Sequence, residues 1–231
     1  MPIVPGAVQD AVRHTGARPR NEARMSPAAP MHIAAVLGSL RNPSYTAAAL
    51  RAAVRCLEAT GRVEVDWIDP RDLPMAFPGE VGAAALEAAL APRIAAADGV
   101  LLATPEYHGS YSSVMKTLID SMGYPSALAG KPVALLGVAS GRLGAVKAIE
   151  HLRGVCAHAG AVVLPLAVSL ACVETLVDLT GDACEPEVEL QLQSIAGQLV
   201  RVIHQWRAGE AAVAQAGGMP ALKSEEMQSA P

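Results

Sequence analysis

The sequence predicts an α/β fold: a doubly wound, five-stranded parallel sheet in the order 2-1-3-4-5, with helices on both faces. Three observations carry that expectation. Short apolar runs alternate with longer helix-forming stretches, the pattern of a parallel sheet covered by helices. Residues 32–37 (HIAAVL), 99–103 (GVLLA) and 132–138 (PVALLGV) are apolar without alternation, as strands buried on both faces are. Residues 62–68 (RVEVDWI) instead alternate Val63, Val65 and Trp67 against Arg62, Glu64 and Asp66, which marks a strand nearer an edge. An edge-like second strand beside three buried ones favours the 2-1-3-4-5 order.

The elements follow in turn. The first strand, 32–37, leads into a helix over 44–59 that stops at Gly61. The edge-like strand comes next, then a loop over 69–80 holding three prolines. An Ala/Leu helix is expected over 83–97, the strand 99–103, a helix over 112–122 and the strand 132–138. A helix over 143–159, a strand over 162–166 and a last helix over 186–207 complete five βα units. Residues 1–30, with five prolines and four arginines and no apolar periodicity, read as a disordered tail. Residues 31–208 form the domain, and 209–231 read as a second flexible tail.

About half of the 231 residues are apolar, enough for a full core at this length, but only 3% are aromatic, so the core must be packed from small aliphatic groups. The net charge of −4 and the lack of a basic stripe argue against nucleic-acid binding. No run of about 18 apolar residues suggests a membrane helix, and no signal-peptide pattern opens the chain. Cys56, Cys156, Cys172 and Cys184 form neither a C-x-x-C pair nor a metal-binding spacing. Reduced thiols in a cytoplasmic protein are the expectation.

In such a sheet, ligands bind beyond the carboxyl ends of the strands, and three unusual segments fall at three such ends. The first is Gly38-Ser39-Leu40-Arg41-Asn42-Pro43-Ser44-Tyr45-Thr46. Gly38 allows a sharp turn, Ser39, Ser44 and Thr46 supply hydroxyls, and Arg41 supplies a planar cationic fork. Asn42 suits a helix cap and Pro43 the first helical position. A helix N-terminus with these groups around it suits a phosphate monoester. The second segment is Thr104-Pro105-Glu106-Tyr107-His108-Gly109-Ser110-Tyr111, and the third is Ala139-Ser140-Gly141-Arg142-Leu143-Gly144. Their glycines permit close backbone approach to a flat ring.

Together the patterns G-S-x-R-x-x-S-x-T, T-P-E-Y-x-G-S and S-G-x-x-G resemble the NADPH-dependent FMN reductase family of flavodoxin-like proteins. The resemblance spans about residues 31–166. It implies a homodimer or homotetramer that binds FMN and takes hydride from NADPH, with NADH possible, for a small-molecule electron acceptor: a quinone, azo compound, metal oxyanion or free flavin. It implies that Ser39, Arg41, Ser44, Tyr45 and Thr46 hold the FMN phosphate. Pro105, Glu106, Tyr107, His108 and Gly109 would wrap the ring, and Ser140, Gly141 and Gly144 would approach it from the other side. The sequence departs from the family where His108 replaces a frequent Asn, where residues 110–113 (SYSS) replace Gly-x-Pro-G, and where Arg142 follows Gly141. All three changes touch the ring-facing wall.

The cofactor carries its own reactivity, so no catalytic acid–base pair or triad is expected. Glu106 reads as an anchor for its turn or a subunit contact. His108 is either a donor to the flavin or substrate, or an exposed loop residue. Arg142 is either a ligand of the NADPH phosphate or a surface charge. Tyr111 reads as a stacking residue or a subunit contact, and Lys116 with Asp120 as a solvated helix pair. His151 and His158, seven residues apart, do not suggest a metal site. An FMN electron carrier and a non-catalytic scaffold of the same fold remain the competing readings.

Overall fold

A computed structural model describes residues 29–215. Its elements are β1 (Met31–Leu37), α1 (Tyr45–Glu58), β2 (Val63–Ile68), α2 (Ala83–Ala96), β3 (Gly99–Tyr107) and β4 (Ser110–Tyr111). They continue with α3 (Ser113–Asp120), β5 (Pro132–Val138), α4 (Val146–His158), β6 (Val162–Leu170) and α5 (Pro186–Gln215). The five long strands are parallel in the order β2-β1-β3-β5-β6, and two-residue β4 pairs antiparallel with the end of β3. Counting parallel strands alone, this is the expected 2-1-3-4-5 order. Most of the proposed tails lie outside the described residues; residues 209–215 continue α5 rather than leaving it at 207.

Successive strand residues point to opposite faces, so the unbroken apolar runs divide between two cores. Ile33, Ala35 and Leu37 of β1 face α1 and α5, while Ala34 and Val36 face α2, α3 and α4. All seven residues of β5 are buried. The face of α1 against the sheet is almost wholly alanine, from Ala47 to Ala53, broken by Leu50. Small side chains let the helix lie close to the strands, as the shortage of aromatics requires.

Two strands run past their expected ends, both toward the site. β3 continues from Ala103 to Tyr107 because β5 pairs alongside it as far as Pro105 and β4 folds back on Glu106 and Tyr107. β6 continues past Leu166 to Leu170, with extra residues bulged out between its pairings to Val133 and Leu135. Pro165 sits in that bulge, where a proline is tolerated on an edge strand. Arg153 donates to the carbonyls of Leu164 at 2.7 Å and Pro165 at 3.2 Å, and the Leu166 N–H donates to Gln198 Oε1 at 3.3 Å.

The end of β1, the middle of β3 and the start of α3 meet at Gly38. Its N–H donates to Ala103 O at 2.7 Å, and its carbonyl accepts from Ser112 Oγ at 2.6 Å. Its φ is not positive; a Cβ there would lie 2.8 Å from Ala103 O and 2.9 Å from Met115 Cε. Glycine is therefore required for room, not for the sharp turn expected of it. The Gly38→Ala variant should lose about 1–3 kcal/mol of stability and lower the urea midpoint; an unchanged midpoint would show that the junction can spread at no cost.

Candidate functional site

Beyond the carboxyl ends of β1, β3 and β5 lies a cleft of about 240 Å³. It gathers Ser39, Arg41, Ser44, Tyr45 and Thr46 from the first segment, Pro105, Glu106 and Tyr107 from the second, and Ser140 from the third. Larger cavities of about 730 Å³ lie beside the start of α5 and between α3 and α4, but neither brings the three segments together.

The first segment is built around Ser44. Ser44, not Asn42, caps α1: its backbone is extended and its Oγ accepts from the Ala47 N–H at 3.2 Å. Pro43 precedes the cap, so it does not occupy the first helical position. The Ser44 hydroxyl donates to Ser39 Oγ at 3.1 Å, and Ser39 Oγ accepts from the Arg41 N–H at 3.3 Å. This local ring of bonds moves the helix start two residues beyond the place that Asn-Pro suggests. The Ser44 carbonyl takes the Ala48 N–H at 3.0 Å, and the helix has no acceptor for the N–H groups of Tyr45 and Thr46. Ser39, Ser44 and Thr46 are buried at the cleft floor.

Arg41 is exposed, and its guanidinium stands 5.0 Å from the centre of the Tyr107 ring. That cation–π contact links the first segment to the second. No carboxylate pairs with Arg41 among the described residues. Its charge is held at the rim and left available for an anion.

The second segment is a β-hairpin, not an irregular loop. Glu106 pairs with Tyr111 and Tyr107 with Ser110. His108 and Gly109 form the turn, with φ of 51° and 75°. Positive φ at both positions is what a two-residue type I′ turn demands. Asn-Gly is the usual pair in such turns, and His is among the residues that tolerate this region. The hairpin tip lies outside the cleft lining, with His108 exposed.

Glu106 anchors this hairpin, as one of its two expected readings had it. Its Oε2 accepts from the Ala148 N–H in the first turn of α4 at 3.0 Å, where a carboxylate also meets the positive end of the helix dipole. Ser110 Oγ and His151 Nδ1, 3.1 Å apart, form a second tie to α4. Behind the hairpin, Ser112 caps α3 by accepting from Met115, and its own N–H donates to Thr104 Oγ1. Tyr111 packs half-buried against the α2–α4 core, and burial raises its phenol above the ordinary tyrosine range. Lys116 and Asp120 form the expected i, i+4 ion pair at 2.6 Å.

The third segment contributes Ala139 and Ser140 to the cleft; Gly141 and Gly144 do not line it. Gly141 O accepts from the N–H groups of Gly144 at 3.2 Å and Cys172 at 3.3 Å. Gly144 has φ 68°, and a Cβ there would meet Ser169 Oγ at 2.6 Å. These glycines shape the loop. Val138 and Val173 line the cleft without having been singled out in the sequence, and Pro43, expected only as the first helical residue, lines it too. Val173 follows β6, and its N–H donates to Ala139 O at 3.1 Å. The apolar run continuing beyond residue 166 was the available signal for it.

The thiols stand apart from the cleft lining. Burial pushes Cys56 and Cys156 up to about 12, and burial together with Glu189 pushes Cys184 up to about 11. Such thiols are poor nucleophiles at neutral pH.

Comparison with known proteins agrees with this geometry. The family model for NADPH-dependent FMN reductase matches residues 31–175. A 2-hydroxy-1,4-benzoquinone reductase from Burkholderia sp is 36% identical over 133 residues, which is 55% of this chain and 71% of that one. The solved structure of the flavoenzyme NAD(P)H:(acceptor) oxidoreductase FerB from Paracoccus denitrificans superposes with a TM-score of 0.61 at 26% identity, covering 76% of this chain and 98% of that one. An archaeal flavodoxin, at 14% identity and a TM-score of 0.50, covers 75% of this chain and 99% of its own and shares the fold alone. The family match runs through every strand of the sheet and all three cleft-forming segments, and the chain belongs to the NADPH-dependent FMN reductase family of enzymes.

Proposed function

We propose that the cleft binds FMN and that the protein passes electrons from NADPH, or NADH, to a small quinone. The observation that carries this reading is the cradle at the start of α1: buried Ser39, Ser44 and Thr46 hydroxyls beneath an Arg41 without a carboxylate partner. Those groups fit a dianionic phosphate. A volume of about 240 Å³ is small for a whole cofactor-sized ligand. It suits the phosphate-bearing end, with the ring against the open rim of Tyr107, Ala139 and Ser140. The quinone follows the activity named for the Burkholderia relative.

Bound FMN would supply the redox chemistry. The chain's own residues bind and orient. Ser39, Arg41, Ser44, Tyr45 and Thr46 hold the phosphate by charge and hydrogen bonds. Glu106 fixes the hairpin on α4, so that Tyr107 faces Arg41. His108, Gly109, Gly141 and Gly144 act through loop shape. No side-chain nucleophile is required; stacking and fixed dipoles do the work.

We further infer a homodimer or homotetramer in the cytoplasm. The apolar groove between α3 and α4, with exposed Tyr124 at its edge, supplies a surface for a second copy. Four free cysteines suit a reducing compartment. Among the described residues no helix is long and apolar enough to cross a membrane.

Anaerobic addition of NADPH to the FMN-loaded protein should bleach the yellow absorbance, and benzoquinone should restore it. Bound FMN that NADPH does not bleach would make the protein an electron carrier, and no FMN uptake would make it a scaffold. Glu106→Ala should cost about 1 kcal/mol in thermal unfolding and weaken FMN binding. Glu106→Gln, which keeps an acceptor for Ala148, should lose less in both. Equal losses in the two variants would contradict the anchoring role.

A further inference from the structure

We propose that Cys184, Glu189 and Cys56 form a peroxide-responsive thiol site, in which Cys184 is oxidised first and Cys56 then closes a disulfide with it. The site lies outside the cleft and goes beyond the electron-transfer reading above.

The three side chains come from three parts of the fold. Cys56 lies near the end of α1, Cys184 in the connection between β6 and α5, and Glu189 in the first turn of α5. One carboxylate receives both thiols: Cys184 Sγ donates to Glu189 Oε2 at 3.2 Å, and Cys56 Sγ donates to Oε1 at 3.6 Å. Gln193 Nε2 also donates to Oε1, at 3.1 Å. The connection is fixed on α1 without help from the thiols. Arg51 of α1 donates to the carbonyls of Leu179 at 2.8 Å and Thr180 at 2.6 Å, and a Cβ on Gly181 would stand 2.4 Å from Ala48 O. Cys184 then returns antiparallel beside Val177. The scaffold thus holds two sulfurs on the two oxygens of a single group.

Access to the two differs. Cys184 is half-buried and lines a surface cavity of about 320 Å³, whereas Cys56 is 7% exposed. A small oxidant reaches the first and not the second. The cavity wall carries Glu174, Asp178 and Glu185, and none of its lining residues is cationic. That field disfavours anionic oxidants and admits a small neutral one such as hydrogen peroxide.

Neither thiol ionises readily, because burial and then Glu189 push Cys184 up to about 11 and Cys56 up to about 12. The attacking sulfur therefore requires a proton acceptor. Glu189 is in contact with both thiols, and hydrogen bonds from Cys184 and Gln193 hold its carboxyl below the ordinary range, so it is ionised at neutral pH. The other charges facing the group are Arg55, which pairs with Asp182 at 3.8 Å, and Asp178. As Cys184 Sγ attacks one peroxide oxygen, the O–O bond breaks. Glu189 takes the thiol proton and passes it to the departing hydroxide, which leaves a sulfenic acid and water. Cys56 Sγ then attacks that sulfur, the S–O bond breaks, and Glu189 moves the second proton to the leaving hydroxide. A disulfide and a second water result; the two sulfurs together lose two electrons, which the peroxide takes. The new bond ties α1, whose Ser44 cap belongs to the cradle, to the connection that carries Val173 of the cleft wall.

The test is to treat the FMN-loaded protein with hydrogen peroxide and map its thiols by mass spectrometry. The wild type should form a Cys56–Cys184 linkage that a reducing agent reverses, and its thermal midpoint should rise by about 5 °C or more while the linkage is intact. Cys56→Ser should stop at a sulfenic acid on Cys184, which dimedone traps. Cys172→Ser is the control: it removes another half-buried thiol and should link as the wild type does. The wild-type rate should be flat between about pH 6 and pH 8, where Glu189 stays ionised. Glu189→Gln should react more slowly and should speed up about tenfold per pH unit, because attack then waits for the thiolate. No linkage between Cys56 and Cys184, an unmoved midpoint in the linked protein, or a wild-type rate and pH profile in Glu189→Gln would overturn the proposal.

Discussion

The site depends on the contact at Gly38, where the end of the first strand is clamped between the third strand and the third helix. Hydrogen bonds to Ala103 and from Ser112 fix both polar groups of one residue that has no room for a side chain. Ser112 extends the clamp, because the same hydroxyl caps α3 while its N–H reaches Thr104. The cradle that starts at Ser39 is thereby placed against the root of the hairpin. Loops at strand ends carry function best when a rigid scaffold positions them. Here the scaffold reaches into the loop through its first residue.

The other walls are held by the same logic, through bonds to backbone groups from side chains and from backbone. Glu106 takes an amide of α4, Ser169 Oγ takes the Ala145 N–H at 2.8 Å, and the Val173 N–H meets Ala139 O. Four successive strand ends are thus fastened to one another around a space whose lining is largely neutral apart from Arg41 and Glu106. Glu106 is spent on structure. Arg41 is left without a carboxylate partner among the described residues, which suits a ligand that carries a phosphate.

The sheet was legible because burial on both faces leaves unbroken apolar runs, and residues 132–138 are buried at every position. The alternating residues 62–68 marked the edge for the opposite reason. What failed to show were features decided by contacts distant in sequence, and one choice between two neighbouring caps. Residues 104–111 contain a proline and no alternation, yet they form a strand and hairpin, because β5 and α4 supply their partners. The last strand was expected to stop at Leu166, one residue past Pro165, but an edge strand can bulge around the proline and continue when Arg153 takes the freed carbonyls. Asn42 and Ser44 are both capable caps; the bond between Ser44 and Ser39 selects the second. The groups that gather at the start of α1 were legible because they lie within nine consecutive residues, although the cap itself was misplaced by two. The far wall was legible only in part, since Val173 arrives from a segment beyond the strand that was cut short.

We propose that a phosphate monoester anchors the ligand in this cradle. The most direct test is a comparison of FMN and riboflavin affinities in the wild type and in Arg41→Ala, measured by quenching of flavin fluorescence. With several charge-assisted hydrogen bonds to the phosphate, the wild type should prefer FMN by at least about a hundredfold. The Arg41→Ala variant should lose about tenfold or more of that preference while riboflavin binding stays the same. Equal affinity for FMN and riboflavin in the wild type, or an undiminished preference in the variant, would show that the phosphate does not anchor the ligand.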